Sequence, residues 1–154
     1  MTNTVKIYNN EMFLNEEKIF SSEGNTSEFI AAAYKYFQIN YPKFYKMDLM
    51  SKLGIVATEI IERNFPSKEE NPFLRSILLQ NKQASLYADK KYAETLDTIP
   101  SPALFVYTLP NIVMGEIAIK YGYKGENTFF VAEKFNPSQL EEYGNILLSS
   151  NITT

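Results

Sequence analysis

Three observations predict an α/β fold for this chain. Short runs of aromatic and β-branched residues alternate with longer stretches of helical periodicity. Turn and cap residues separate the two kinds of stretch. At 154 residues, 45% of them apolar, the chain is long enough to bury a core as one domain.

The elements are predicted in order as follows. Residues 5–9 alternate as a strand does, Asn9-Asn10 makes a turn into Met12, Phe13 and Leu14, and Lys18, Ile19 and Phe20 return, giving a hairpin or meander. Residues 21–26 form a loop. Thr26 or Ser27 is placed to cap a helix over 28–37, where Phe29, Ala32, Ala33, Tyr36 and Phe37 recur at helical spacing. Asn40-Tyr41-Pro42 ends it. A longer helix is expected over 43–63, with Leu49, Leu53, Val56 and Ile60 as its apolar stripe. Phe65-Pro66 stops that helix, and 67–72 reads as a polar loop.

The apolar run 76–79 predicts a buried strand, 84–87 a second, and 89–96 a short helix. Pro100 and Pro102 favour an extended approach to Leu104, Phe105, Val106 and Tyr107, which read as a buried strand. Pro110 suits the first turn of a helix carrying Ile112, Val113, Gly115, Ile117 and Ala118. Residues 128–131 make a short strand. Asn136 as cap, Pro137 at the first position and Gln139 three along start a last helix, which runs to about Leu148 and leaves 149–154 as a frayed tail. No internal repeat and no interdomain linker is apparent, so a single domain over 1–154 is expected.

Composition excludes several functions. The net charge is −3, and no clustered Lys and Arg suggest a nucleic-acid partner. No apolar run approaches a membrane span, because Glu116, Lys120 and Tyr121 interrupt the best candidate. The opening residues, MTNTVKIYNNEMF, lack a basic start followed by an apolar block, so a cytoplasmic location is expected. The chain has no cysteine and no histidine, which removes disulfides, thiolate metal sites and the usual nucleophile–base pairs. A metal would need an all-oxygen cluster, and no Asp-rich loop exists, so neither metal nor cofactor is expected. The carboxylate pairs Glu16-Glu17, Glu69-Glu70 and Glu141-Glu142 lie in polar stretches with nothing to separate their titrations. Gly122 and Gly125 close a helix and open a strand, the reverse of a phosphate loop, and so read as a C-cap turn.

Three patches carry a resemblance. The first is Lys46-Met47-Asp48-Leu49-Met50-Ser51-Lys52-Leu53 with the following Ala57-Thr58-Glu59-Ile60. The second is Asn81-Lys82-Gln83-Ala84-Ser85-Leu86-Tyr87-Ala88-Asp89. The third and longest is SPALFVYTLPNIVMGEIAIKYGYKGEN, residues 101–127. In this order they resemble the N-terminal half of β-ketoacyl synthases, where a Ser-Pro, an Asn shortly after a Pro, a Gly-x-Ile-Ala/Ser-Ile helix and a Tyr-Gly-aromatic-Lys/Arg-Gly-Pro-Asn turn, whose Pro is Glu126 here, lead into the catalytic cysteine. The resemblance covers about residues 47–131. It implies a thiolase-like half-fold, a mixed sheet packed with helices. The family's second half, which supplies both catalytic histidines, is absent from this sequence, and residues 1–26 match nothing in the family.

Counting forward from Gly125-Glu126-Asn127, the family's nucleophile position falls at Lys134. A lysine there makes a dead-end amide rather than an acyl thioester, so condensation by this chain is not expected. A Schiff base would need burial of the amine; the alternative is that Glu133-Lys134 is a solvated turn. The resemblance further implies that Leu104, Phe105, Val106, Tyr107, Thr108, Asn111, Met114 and Gly115 border an acyl pocket and a dimer interface. Gly115 is expected to serve close helix packing and Asn111 to satisfy backbone groups at a helix start. The expected role is that of a non-catalytic accessory subunit in fatty-acid, polyene or polyketide synthesis, pairing with itself or with a full ketosynthase. The alternative is a module that holds an acyl carrier protein or acyl chain. An acidic carrier would meet Lys43, Lys46, Lys52, Arg75 and Lys82, which equally read as scattered solubilising charges.

Overall fold

The computed structural model describes residues 3–154. The chain is mixed α/β and divides into two compact units, 1–68 and 69–154, where the sequence led us to expect one undivided domain.

The first unit opens with a three-stranded antiparallel meander, β1 (Val5–Tyr8), β2 (Glu11–Leu14) and β3 (Glu17–Ser21), in the order β1-β2-β3. Both connections are two-residue turns in which each central residue has positive φ, Asn9-Asn10 and Asn15-Glu16. That conformation matches the strand twist, and asparagine tolerates it. Helix α1 (Thr26–Tyr36) follows. Its cap is Asn25, one residue before the expected position: the Asn25 carboxamide accepts from Ser27 and Glu28, and the Glu28 carboxylate accepts from the Asn25 amide at 2.9 Å. Together these bonds form a capping box.

The long helix expected over 43–63 is interrupted. Pro42–Lys46 is a 3-10 turn, and α2 (Leu49–Asn64) begins afresh at Asp48, whose carboxylate accepts from Met50 and Ser51. An aspartate at this position ends one run and caps the next, a stronger signal than the apolar period that crosses it. Phe29, Ile30, Ala33, Phe44, Ile55, Val56 and Ile60 are buried together with Met12 as this unit's core.

The second unit contains β4 (Ile77–Asn81), α3 (Leu86–Ala93), α4 (Pro102–Val106), α5 (Ile112–Tyr121), β5 (Asn127–Val131) and α6 (Pro137–Ser149). Strands β4 and β5 pair in parallel, from Ile77↔Asn127 to Asn81↔Val131, so the three intervening helices form the crossover that a parallel pair requires. Helix α6 lies against the sheet: Phe130 and Tyr143 meet edge to face at 5.5 Å, and the Gln80 amide donates to Gln139 at 2.7 Å. Its start is the one expected, with Asn136 accepting from Gln139 and Pro137 in the first turn.

Two predicted strands are helical. Residues 104–107 belong to α4 and its C-terminal cap, because Ser101 accepts from the Leu104 amide and Pro102 presets the first turn, which outweighs the β preference of a short aromatic run. Residues 84–87 are a turn and the start of α3. Ala84 has φ +49° and is held there by two hydrogen bonds with the Asn81 carboxamide. The tail is tied down, not frayed. Ser149 ends α6, the Ile152 amide donates to Leu147, and Thr153 and Thr154 both donate to the Leu74 carbonyl. Among the described residues no helix is long and apolar enough to cross a membrane.

Candidate functional site

The residues that the resemblance singles out lie on α4, α5 and the loop between them. Phe105 and Val106 are largely exposed, Leu104 is half-buried and Tyr107 is 5% exposed. One turn of helix distributes four apolar side chains around its axis, whereas a strand would have sent alternate ones to a single core face. Phe105 rests on Tyr92 of α3 at 5.3 Å between ring centroids. Tyr107 turns inward, and its hydroxyl donates to Oε1 of Glu116 at 3.1 Å.

The burial of Glu116, which the sequence shows only as a break in an apolar run, was not foreseen. The residue is 1% exposed on the otherwise apolar helix α5, beside buried Val113, Met114 and Ile117. The available signal was a single carboxylate inside an apolar helical period; its partner lies nine residues away on another element.

Thr108 links the loop to α3. Its carbonyl accepts from the Ser85 hydroxyl at 2.7 Å, and its own hydroxyl donates to the Phe105 carbonyl. Asn111 starts α5 through its carbonyl, which accepts from Met114 and Gly115, and its side chain makes no capping bond, contrary to expectation. Met114 is buried. Gly115 does not serve close packing: a Cβ built there would meet nothing within 4 Å.

The two glycines after α5 separate into different roles. Gly122 has φ +75° and ends α5 as the expected left-handed C-cap. Gly125 is needed for space, since a Cβ there would lie 2.6 Å from the Arg75 carbonyl oxygen and 2.9 Å from that of Phe73. This close approach seats the turn on 73–75 and leads into the first ladder bond, from the Ile77 amide to the Glu126 carbonyl at 2.8 Å. The Arg75 guanidinium lies 4.3 Å over the Tyr123 ring and donates to the Tyr123 hydroxyl at 2.7 Å, which fixes the same turn from its other side.

Lys134 stands in the bend between β5 and α6, two residues before the α6 cap, and is exposed, as is Glu133. A Schiff-base role required burial, and this lysine has none. Of the five cations considered for an acidic partner, Lys43, Lys46 and Lys52 gather around the Pro42–Lys46 turn, with the Lys52 amine 5.7 Å over the Phe44 ring. Arg75 is engaged with Tyr123, and Lys82 is exposed in the turn after β4. Among the described residues no group of three or more acidic side chains could hold a metal ion.

No family model, no curated protein and no solved structure matches this chain.

Proposed function

We propose that the chain is a non-catalytic, ketosynthase-like accessory subunit of fatty-acid, polyene or polyketide synthesis that pairs with itself or with a full ketosynthase. The observation that carries this reading is the order of parts around Lys134. The Gly125-Glu126-Asn127 turn enters a parallel strand, a bend after the strand holds Lys134, and the cap of a helix, Asn136, follows two residues later. The resemblance puts the family's nucleophile in this connection, and here the position holds an exposed amine on a chain with no cysteine or histidine. The role left to such a subunit is to shape or stabilise a partner. The exposed apolar side chains of Phe105, Val106, Leu109 and Ile119 favour pairing, because monomers rarely leave such groups in water together.

A second reading, a module that holds an acidic acyl carrier protein, is favoured by the Lys43, Lys46 and Lys52 group and its neighbouring exposed Tyr45. Affinity capture of the tagged chain from its native host under mild crosslinking, followed by mass spectrometry, separates the two. A full-length ketosynthase recovered at near-equal amounts supports the accessory subunit. An acyl carrier protein without a synthase supports the second reading. Recovery of neither sinks both.

A further inference from the structure

The sheet face under α6 carries a small hollow that has no part in subunit pairing. In the ladder register Phe130 of β5 pairs with Gln80 of β4, and α6 lies over both. Gln80 seats the helix: its amide donates to Gln139, and its carbonyl accepts from the Asn136 amide at 2.6 Å. Tyr143 is held as well, its hydroxyl 3.4 Å from Oε1 of Glu126. Between these fixed points Phe130, Gln139, Glu142, Tyr143 and Ile146 line a hollow of about 150 Å³. An engineered apolar cavity of that volume takes one benzene molecule, so a small headgroup fits here.

The walls of the hollow select a chemistry. The Phe130 and Tyr143 rings meet at 84°, with centroids 5.5 Å apart, and form an aromatic corner. Glu142 supplies the carboxylate of the lining, and neither lysine nor arginine lines it. A more open hollow shares Glu142 and Ile146 and adds Glu141, which extends the negative potential along α6. Ring faces and a carboxylate together attract a cation. A primary ammonium is a poor match, because it brings three N–H donors and a tight hydration shell. The Gln139 carbonyl already accepts from Gln80, and Ile146 and the rings offer no conventional acceptor. A metal ion is a poorer match still, since it needs several oxygen ligands in one place. An alkylated ammonium has no donor to satisfy. It spreads its charge over methyl groups and buries them against the rings and Ile146.

We propose that the Phe130–Tyr143 corner, with Glu142, binds an alkylated ammonium group of the trimethylammonium kind. The proposal goes beyond the accessory-subunit reading and does not rest on it. It is tested on the whole chain by NMR titration with choline, against ethanolamine as the unmethylated comparator and the uncharged carbon isostere of choline as the second. Choline is expected to saturate with a Kd of about 1 mM, and each comparator to bind at least about fivefold more weakly. Glu142 is exposed, so Glu142→Gln keeps the fold and should weaken choline binding by about fivefold to tenfold. Glu141→Gln, one place further from the rings, should change it by less than about twofold. Tyr143→Leu should weaken binding as much as Glu142→Gln does, and Tyr143→Phe, which keeps the ring, should not. Amide shifts should centre on Phe130, Glu142 and Tyr143. A trimethyllysine peptide, run beside its unmethylated form, identifies the source of the group. Tighter binding than choline assigns it to a partner's modified side chain, and weaker binding to a free small molecule. Failure of choline to saturate in the millimolar range, equal binding of either comparator, equal losses at Glu141 and Glu142, or shifts centred elsewhere would overturn the proposal.

Discussion

Gly125 and Gly122 stand three residues apart and do different things, which a pair of substitutions can show. At Gly122 the backbone is left-handed but the surroundings are open, so Gly122→Ala should cost only the conformational penalty, about 1 kcal/mol. At Gly125 the added carbon meets two backbone carbonyls that cannot rotate away. Gly125→Ala should cost about 2 kcal/mol or more and disturb the β4–β5 register. Urea denaturation of the two variants gives the ranking, and equal losses would contradict this assignment of roles. Tyr107 offers a second test. Tyr107→Phe removes a donor from the buried Glu116 carboxyl and should destabilise by about 1–3 kcal/mol. Glu116→Gln in the same background should add less than it does alone, because the two positions share one bond. Lys91 is a surface counterpart. The Tyr87 hydroxyl raises its pKa above the ordinary lysine value, so this contact contributes at pH below the usual lysine range and fades as pH rises past it. With the amine exposed, solvent screening keeps that contribution small. An NMR titration of Tyr87→Phe should show the Lys91 midpoint fall.

At the scale of elements, local signals were legible and distant ones were not. The Asn9-Asn10 turn, the C-cap at Gly122 and the Asn136-Pro137-x-Gln139 start each consist of residues that act on their own neighbours, and each forms where the sequence places it. The helical turn at 102–106 was not legible. A five-residue apolar run fits strand or helix alike, and only the weight given to Ser101-Pro102 decides between them. The Ala84 turn rests on Asn81 reaching forward three residues, and the space needed at Gly125 is set by a carbonyl fifty residues earlier. No period in the sequence reports either. Of the residues that the resemblance named, Phe105 and Val106 face solvent while Tyr107 and Met114 are buried, and the buried carboxyl of Glu116 registered in the sequence only as an interruption of an apolar run. The break before α2 was readable in principle, since Asp48 is a strong capping residue placed inside an otherwise continuous stripe. Asp48→Ala should therefore destabilise by about 1 kcal/mol, and Asn25→Ala by a similar amount at α1, both measurable by chemical denaturation.

Across the whole molecule, the two units differ in how well each covers its own apolar surface. Among the described residues, 17 large hydrophobic residues are exposed; three lie in the first unit, and all three are tyrosines, whose hydroxyls suit water. The other 14 lie in residues 69–154 and include Phe73, Ile99, Phe105, Ile119 and Phe135. The first unit closes its core with three strands and two capped helices. The second builds on two parallel strands, fewer than an independently stable sheet usually has. The physical expectation is an asymmetric pair. Residues 1–68 expressed alone should give a cooperative urea transition. Residues 69–154 alone should bind the dye ANS and melt over a broad range, sharpening as protein concentration rises and copies cover one another's apolar groups. If 69–154 instead melts cooperatively, without dye binding and independently of concentration, its exposed side chains are tolerated as they stand. The inference from them to a partner would then lose its support.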